Sequence, residues 1–176
     1  MDITRPVTRN PYDELPHFPS FTLTSSMLKD GERMPVECTG DGTDTSPDLS
    51  WSGFPATTRS FAVTCFDPDA PTPSGFWHWT IVNIPLSTTS LDINAGQDDS
   101  KLPEGAYHIR NDRSTFDYIG SAPPHGDHEH RYIFAVHALE VEHLDLPQDS
   151  TSPTAAAFTM LFHTCARAYI TATYSR

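Results

Sequence analysis

The chain has 176 residues and a formal net charge of -12, from 11 basic and 23 acidic side chains. An acidic surface repels phosphate backbones and anionic bilayers, so nucleic acid and electrostatic membrane docking are excluded as expectations. No apolar stretch approaches a membrane-spanning length and the first residues carry no apolar signal segment, so the expectation is a chain that is not membrane-spanning. Its three cysteines, Cys38, Cys65 and Cys165, are widely spaced and odd in number, the pattern of a reduced, cytoplasmic protein.

Residues 1–17 hold charges, Pro6, Pro11 and Pro16, and little apolar content, and read as an N-terminal arm, loose or laid over a neighbouring surface. Residues 18–176 suit one domain with a substantial core. Within it, Phe18 to Leu23 and Met34 to Cys38 are predicted strands, the second following an Asp30-Gly31 turn signal. Asp48 to Ser52 puts Leu49 and Trp51 on one side of a third. Phe61 to Phe66 and His78 to Ile84 are apolar on two faces, as strands inside a sandwich are. Leu86 to Gly105 reads as a long polar surface connection, and Tyr107 to Ile109 as a short strand. Arg131 to Leu139 is the longest uninterrupted strand candidate. Ser152 is a good N-cap and Pro153 a good first helical residue. Ala155, Phe158, Leu161, Phe162 and Cys165 then fall at helical spacing, an apolar stripe predicted to pack into the core. Ala168 to Tyr174 closes the chain as a strand. Many short strands and one late helix predict a mainly β sandwich.

Between the two doubly apolar strands lies Asp67-Pro-Asp-Ala-Pro71, followed by Pro73 and His78. Proline fixes its own φ and restricts its predecessor, so the loop is stiff, and its X-Pro bonds are where a cis peptide is to be sought. Two acids and an imidazole on a stiff loop form a candidate site. The competing reading is a turn whose aspartates bond their own backbone. A second group, His125, His128 and His130, could be half a zinc site completed by Asp127 or Asp67, although a single glycine-containing loop rarely closes a tetrahedron. His130 opens a strand. If that strand start lies beside the start of the His78 strand, both imidazoles face one cavity with the aspartates at its rim. Gly120-Ser-Ala-Pro-Pro124 could turn backbone N–H groups inward as an anion nest, or be an ordinary Pro-rich turn. No G-x-S-x-G elbow supports serine hydrolase chemistry.

Asp67-Pro-Asp-Ala-Pro71, Trp77-His78, Tyr118-Ile-Gly-Ser-Ala-Pro-Pro-His-Gly126 and His130-Arg-Tyr132 strongly resemble the phosphatidylethanolamine-binding protein family. Ser46-Pro-Asp-Leu-Ser-Trp-Ser-Gly-Phe-Pro55 is similar to that family's early strand motif. The length, the 86–105 connection and the terminal Tyr-Ser-Arg resemble its bacterial, Raf kinase inhibitor-like branch. The resemblance implies a sandwich of two antiparallel sheets, with a C-terminal helix followed by a strand and a small pocket at one end. Carried over by motif, the ligand-binding residues are Asp67, Asp69, His78, Gly120, Pro123, His130 and Tyr132. They would hold a phosphate-like anion or a phosphatidylethanolamine headgroup, with the aspartates facing an ammonium or orienting the histidines. It implies a non-enzymatic binding protein with a regulatory role; no cofactor and no metal are expected. A surface inhibitor of a kinase or serine protease and a metal- or acid/base-dependent hydrolase remain as alternatives, and a homodimer is a further expectation. Two departures stand out: Ala122 before Pro-Pro, where many relatives have glycine, and the His125-Gly-Asp-His insert.

Overall fold

A computed structural model describes residues 5–176. Two antiparallel sheets face one another. The smaller is built from β1 (Thr22–Thr24), β2 (Leu49–Ser52) and β5 (Ser90–Leu91) in the order β1-β2-β5. The larger contains β3 (Ser60–Asp67), β4 (Phe76–Pro85), β6 (Tyr107–His108), β7 (His130–Leu139) and β8 (Thr164–Tyr174), in the order β6-β4-β3-β7-β8. The mainly β sandwich expected from the sequence is the fold observed.

Sequence pattern accounts for the layering. β2 alternates buried and exposed residues, so Leu49 and Trp51 point inward from a half-solvated sheet. β3 is buried at every position because it is the central strand of its sheet and both of its faces are covered. Phe61, Val63 and Cys65 meet Leu49 and Trp51 between the sheets, with Trp79, Ile81 and Phe134. Complete burial of side chains of this size contributes about 1.5–3 kcal/mol each. On the outer face, Ala62, Val82 and Leu139 pack against Ala156 and Met160 of the helix α2 (Pro153–Leu161). Tyr12, in the short helix α1 (Pro11–Glu14), covers Ile133 and Ala135. The described part of the N-terminal arm is therefore laid over the larger sheet.

Several local expectations change. Met34 to Cys38 is not a strand: Pro35 lacks an amide donor, and Val36–Cys38 forms a single 3-10 turn. The chain meets β8 just before this turn through an isolated bridge between Arg33 and Thr173, in which the Met34 amide donates to Thr173 O at 2.8 Å. The 86–105 connection carries β5 and two further 3-10 turns, and buries Leu91 and Ala95. Ser152 caps α2 as expected, accepting from Ala155 N at 3.1 Å. The apolar stripe is misplaced, however. The buried face is Pro153, Ala156 and Met160, while Phe158 and Phe162 are 64% and 68% exposed. The small Ala156 and the adaptable Met160 let the helix lie close to Ala62 and Val82. Only two residues separate α2 from β8, and that short link turns the aromatic pair outward. No helix among the described residues is long and apolar enough to cross a membrane.

Candidate functional site

The end of β3 and the starts of β4 and β7 meet at one edge of the sandwich, because both neighbours pair antiparallel to β3. Asp67 leaves β3, His78 enters β4 and His130 enters β7 within that edge. The Ile119–Pro124 segment crosses the same end, held by the amide of Ile119 donating to His78 O at 3.0 Å. Together they enclose a hollow of about 330 Å³ whose wall includes Asp67, His78, Gly120, Pro123, His130 and Tyr132. Of the residues expected from the sequence, only Asp69 is absent from the wall.

Both readings of the Asp67 loop are realised on one carboxylate. Oδ1 accepts from the backbone amide of Asp69 at 2.7 Å, the turn interaction. Oδ2 accepts from His130 Nδ1 at 2.8 Å, the site interaction. No peptide bond among the described residues is cis, so the loop turns without one. It closes instead at Gly75, whose φ of +67° is open to glycine and where an added Cβ would lie 2.7 Å from Asp67 O.

His130 is clamped at both nitrogens, since Nε2 lies 2.9 Å from Asp127 Oδ2. Carboxylates only accept, so two such neighbours favour the doubly protonated ring. Burial opposes that charge, but the hydrogen bond and charge of Asp67, then those of Asp127, outweigh it and raise the His130 pKa. Asp127 is held well below the usual carboxylate range: burial pushes it up, and its bonds to His130 and Arg5 more than reverse that. Arg5 Nη1 donates to both Asp127 oxygens at 2.8 and 2.7 Å, and Nη2 bonds Asp69 O. Asp127, His128 and His130 present ligand atoms within 4.8 Å of one another. His125 is exposed and outside this group, so the three-histidine half-site of the sequence is not assembled. Within the group, the Arg5 guanidinium already supplies positive charge to Asp127.

His78 differs from His130. Its Nδ1 lies 2.8 Å from Ile119 O, and a carbonyl only accepts, so the ring proton sits on Nδ1 and Nε2 is left free. Burial lowers its pKa, opposed in part by the Asp67 charge and the Ile119 bond. Tyr132, in edge-to-face contact with His78 at 5.2 Å, keeps a buried hydroxyl without a partner of full hydrogen-bond geometry. Burial, followed by the charge of Asp67, pushes that phenol upward, so it remains a proton donor. Arg113 also lines the hollow, and no side-chain ion pair holds it among the described residues. Sequence reasoning missed Arg113, which sits in an unremarkable Asn-Asp-Arg-Ser turn; the scarcity of basic residues was the one clue.

The nest expected at Gly120 is redirected. The Gly120 amide donates to Asp44 Oδ1 at 2.9 Å, not into the hollow. Glycine is needed for closeness: an added Cβ would lie 2.5 Å from Thr39 C and 2.7 Å from Gly40 N, both backbone. Gly120→Ala should therefore cost about 1–3 kcal/mol through backbone displacement, read as a lower denaturation midpoint. A midpoint within error of the parent would contradict this packing. Ala122 has no positive φ, so its Cβ costs no backbone strain, and it simply forms part of the wall. Asp69 serves a different purpose. Its carboxylate accepts from Arg131 N at 3.0 Å, Nε at 2.8 Å and Nη2 at 2.9 Å, which fixes the start of β7.

A two-sheet sandwich with an imidazole- and carboxylate-lined hollow at one end is the structural class that these elements define. The family model described as phosphatidylethanolamine-binding protein matches residues 24–175. The chain belongs to that family. It is 43% identical over 158 residues to the UPF0098 protein YbhB of Escherichia coli strain K12, covering 87% of this chain and 99% of the relative. It is 47% identical over 150 residues to the UPF0098 protein YbcL of the same organism, covering 81% and 80%. The crystal structure of E. coli YbcL, described as a member of the mammalian PEBP family, matches with a TM-score of 0.86 at 42% identity, over 89% of this chain and 99% of that one.

Proposed function

We propose that this protein is a non-enzymatic binding protein that holds a small phosphate-bearing anion, free or as a phosphoethanolamine headgroup, in the hollow at the end of the sandwich. The observation that supports it is the convergence of three polar groups with unused capacity, His78 Nε2, the Tyr132 hydroxyl and Arg113, on one cavity. Phosphate oxygens accept from Arg113 and the Tyr132 hydroxyl, and from His78 Nε2 once the ring is protonated, and charge-assisted bonds of this kind are the strong ones. Asp67 and Asp127 act as orienters of His130 in this reading, so an ammonium group is not required for binding.

Proton linkage gives the proposal a direction. Free His78 is neutral because burial lowers its pKa, and a bound anion beside Nε2 favours the imidazolium. Binding then takes up a proton, so affinity rises as pH falls, until the ligand itself is protonated. Asp67, Asp112 and His130 act on the same ring, the two carboxylates favouring its charge and His130 opposing it. Calorimetric titration of phosphate and phosphoethanolamine tests the assignment. His78→Ala should weaken both by about tenfold or more, the loss of one charged hydrogen bond. Unchanged affinity in that variant, or phosphoethanolamine affinity that falls on acidification from pH 8 to pH 7, above the ester's own second pKa of about 6, would remove the site. Equal affinity for the two ligands shows that only phosphate is read, and tighter phosphoethanolamine binding that the amine is read too.

A further inference from the structure

A second cavity, of about 250 Å³, lies on the outer face of the larger sheet beneath α1 and α2. It is separate from the anion hollow although the two share strands. Phe66 and Trp77 line the second cavity, whereas Asp67 and His78, the next residues, line the first. Alternation along β3 and β4 sends neighbouring side chains to opposite faces. The helical face that the sequence assigned to the core forms part of this wall through Phe158 and Leu161.

Its mostly apolar lining includes two buried side chains that each carry a polar atom without a partner, His137 and Arg167. His137 is 5% exposed, its Nε2 lies 3.2 Å from Thr64 Oγ1, and its Nδ1 has no partner. When the Thr64 hydroxyl donates to Nε2, the ring carries its own proton on Nδ1, a donor with nothing to meet. Arg167 is 8% exposed, and its Nε also lacks an acceptor. Its guanidinium carbon stands 4.6 Å from the Tyr12 ring and 4.9 Å from the Phe18 ring, but no carboxylate pairs with it among the described residues. Ring faces compensate a buried cation only partly, and a buried donor without an acceptor is costly. With the His137 proton on Nδ1, an apolar cavity edged by an unpaired cation and a spare N–H is complementary to one chemical class.

We propose that this cavity binds an amphiphilic monocarboxylate, with its apolar body between Phe66, Trp77, Phe158 and Leu161 and its carboxylate on Arg167 and His137 Nδ1. Size agrees: a dry cavity of about 150 Å³ admits benzene, so this one takes a chain of about eight carbons or a single substituted ring. No neighbouring acid has to be displaced, which distinguishes the site from the Asp67–His130–Asp127 group.

The test is calorimetric titration of the full chain with sodium octanoate and, separately, with 1-octanol. Octanoate should bind at a single site, and octanol at least about tenfold more weakly, because only the acid answers the buried cation. Ala157→Phe, which fills the cavity from α2, and Arg167→Gln should each weaken octanoate by about tenfold or more. His78→Ala should leave octanoate affinity unchanged, which separates this site from the phosphate hollow. Because Arg167→Gln could disturb the arm, the acid-against-alcohol comparison on the unaltered chain stands without it. No saturable octanoate binding, equal affinity for octanol, or loss in His78→Ala alone would each overturn the proposal.

Discussion

Replacing Asp69 with alanine should destabilise the protein by about 3 kcal/mol or more, the largest loss expected from any single carboxylate here. The side chain is fully buried, and three donors of Arg131 converge on it. Removing one member of a buried pair leaves the other charge uncompensated, which costs about 3–5 kcal/mol. Arg131 keeps a quarter of its side chain in solvent, so the lower end of that range applies. Burial raises the Asp69 carboxyl, but the Arg131 bonds and charge win and hold it below the usual range, so the pair is ionised at neutral pH. Urea unfolding provides the measurement. A loss under about 1 kcal/mol would show that Asp69 does not brace β7. Asp69→Asn, which keeps the shape, should leave phosphate affinity within about threefold, because the residue does not line the hollow.

The second large effect is acid lability centred on His137. Burial, followed by the charge of Arg167, pushes this imidazole from 6.5 down to about 3. Thr64 bonds its Nε2, and Tyr12 stacks at an angle 6.3 Å away. Above pH 6.5 the ring is neutral in both folded and unfolded chains, so no stability is lost to protonation. Between 6.5 and 3 only the unfolded chain takes up the proton, and stability falls by up to ~1.4 kcal/mol per pH unit. His78 and His108 are also lowered by burial and act in the same sense. His130, raised by Asp67 and Asp127, gives stability that is complete below 6.5 and lost as pH rises through its folded pKa, so it does not offset the acid loss. Unfolding free energy should therefore drop by about 2 kcal/mol or more between pH 6.5 and pH 5. His137→Gln should flatten that slope, and an identical slope in the variant would contradict the assignment.

Legibility in the sequence followed the physics of each element. β3, β4 and β7 were readable because continuous apolar runs have few outcomes other than strands buried on both faces. The cap of α2 was readable because Ser152 and Pro153 act locally. Which face of α2 is buried was not, since Phe158 and Ala156 compete on hydrophobicity and the short link to β8 decides between them. At the candidate site, the Asp-Pro-Asp loop, His78, His130 and Tyr132 were visible through motif and spacing. The division of labour between Asp67 and Asp69 was invisible, because it depends on which of two nearby acids Arg131 reaches. Arg113 and Arg5 escaped notice for the same reason: an isolated arginine acquires meaning only from partners distant in sequence.

The most direct measurement is a crystal of the protein soaked in phosphoethanolamine and examined for new density in the hollow. The phosphate group should lie among His78, Arg113 and Tyr132, with an oxygen about 2.7–3.1 Å from His78 Nε2. A hollow that holds only solvent at a concentration saturating in solution, with the ligand ordered elsewhere, would contradict the proposed function.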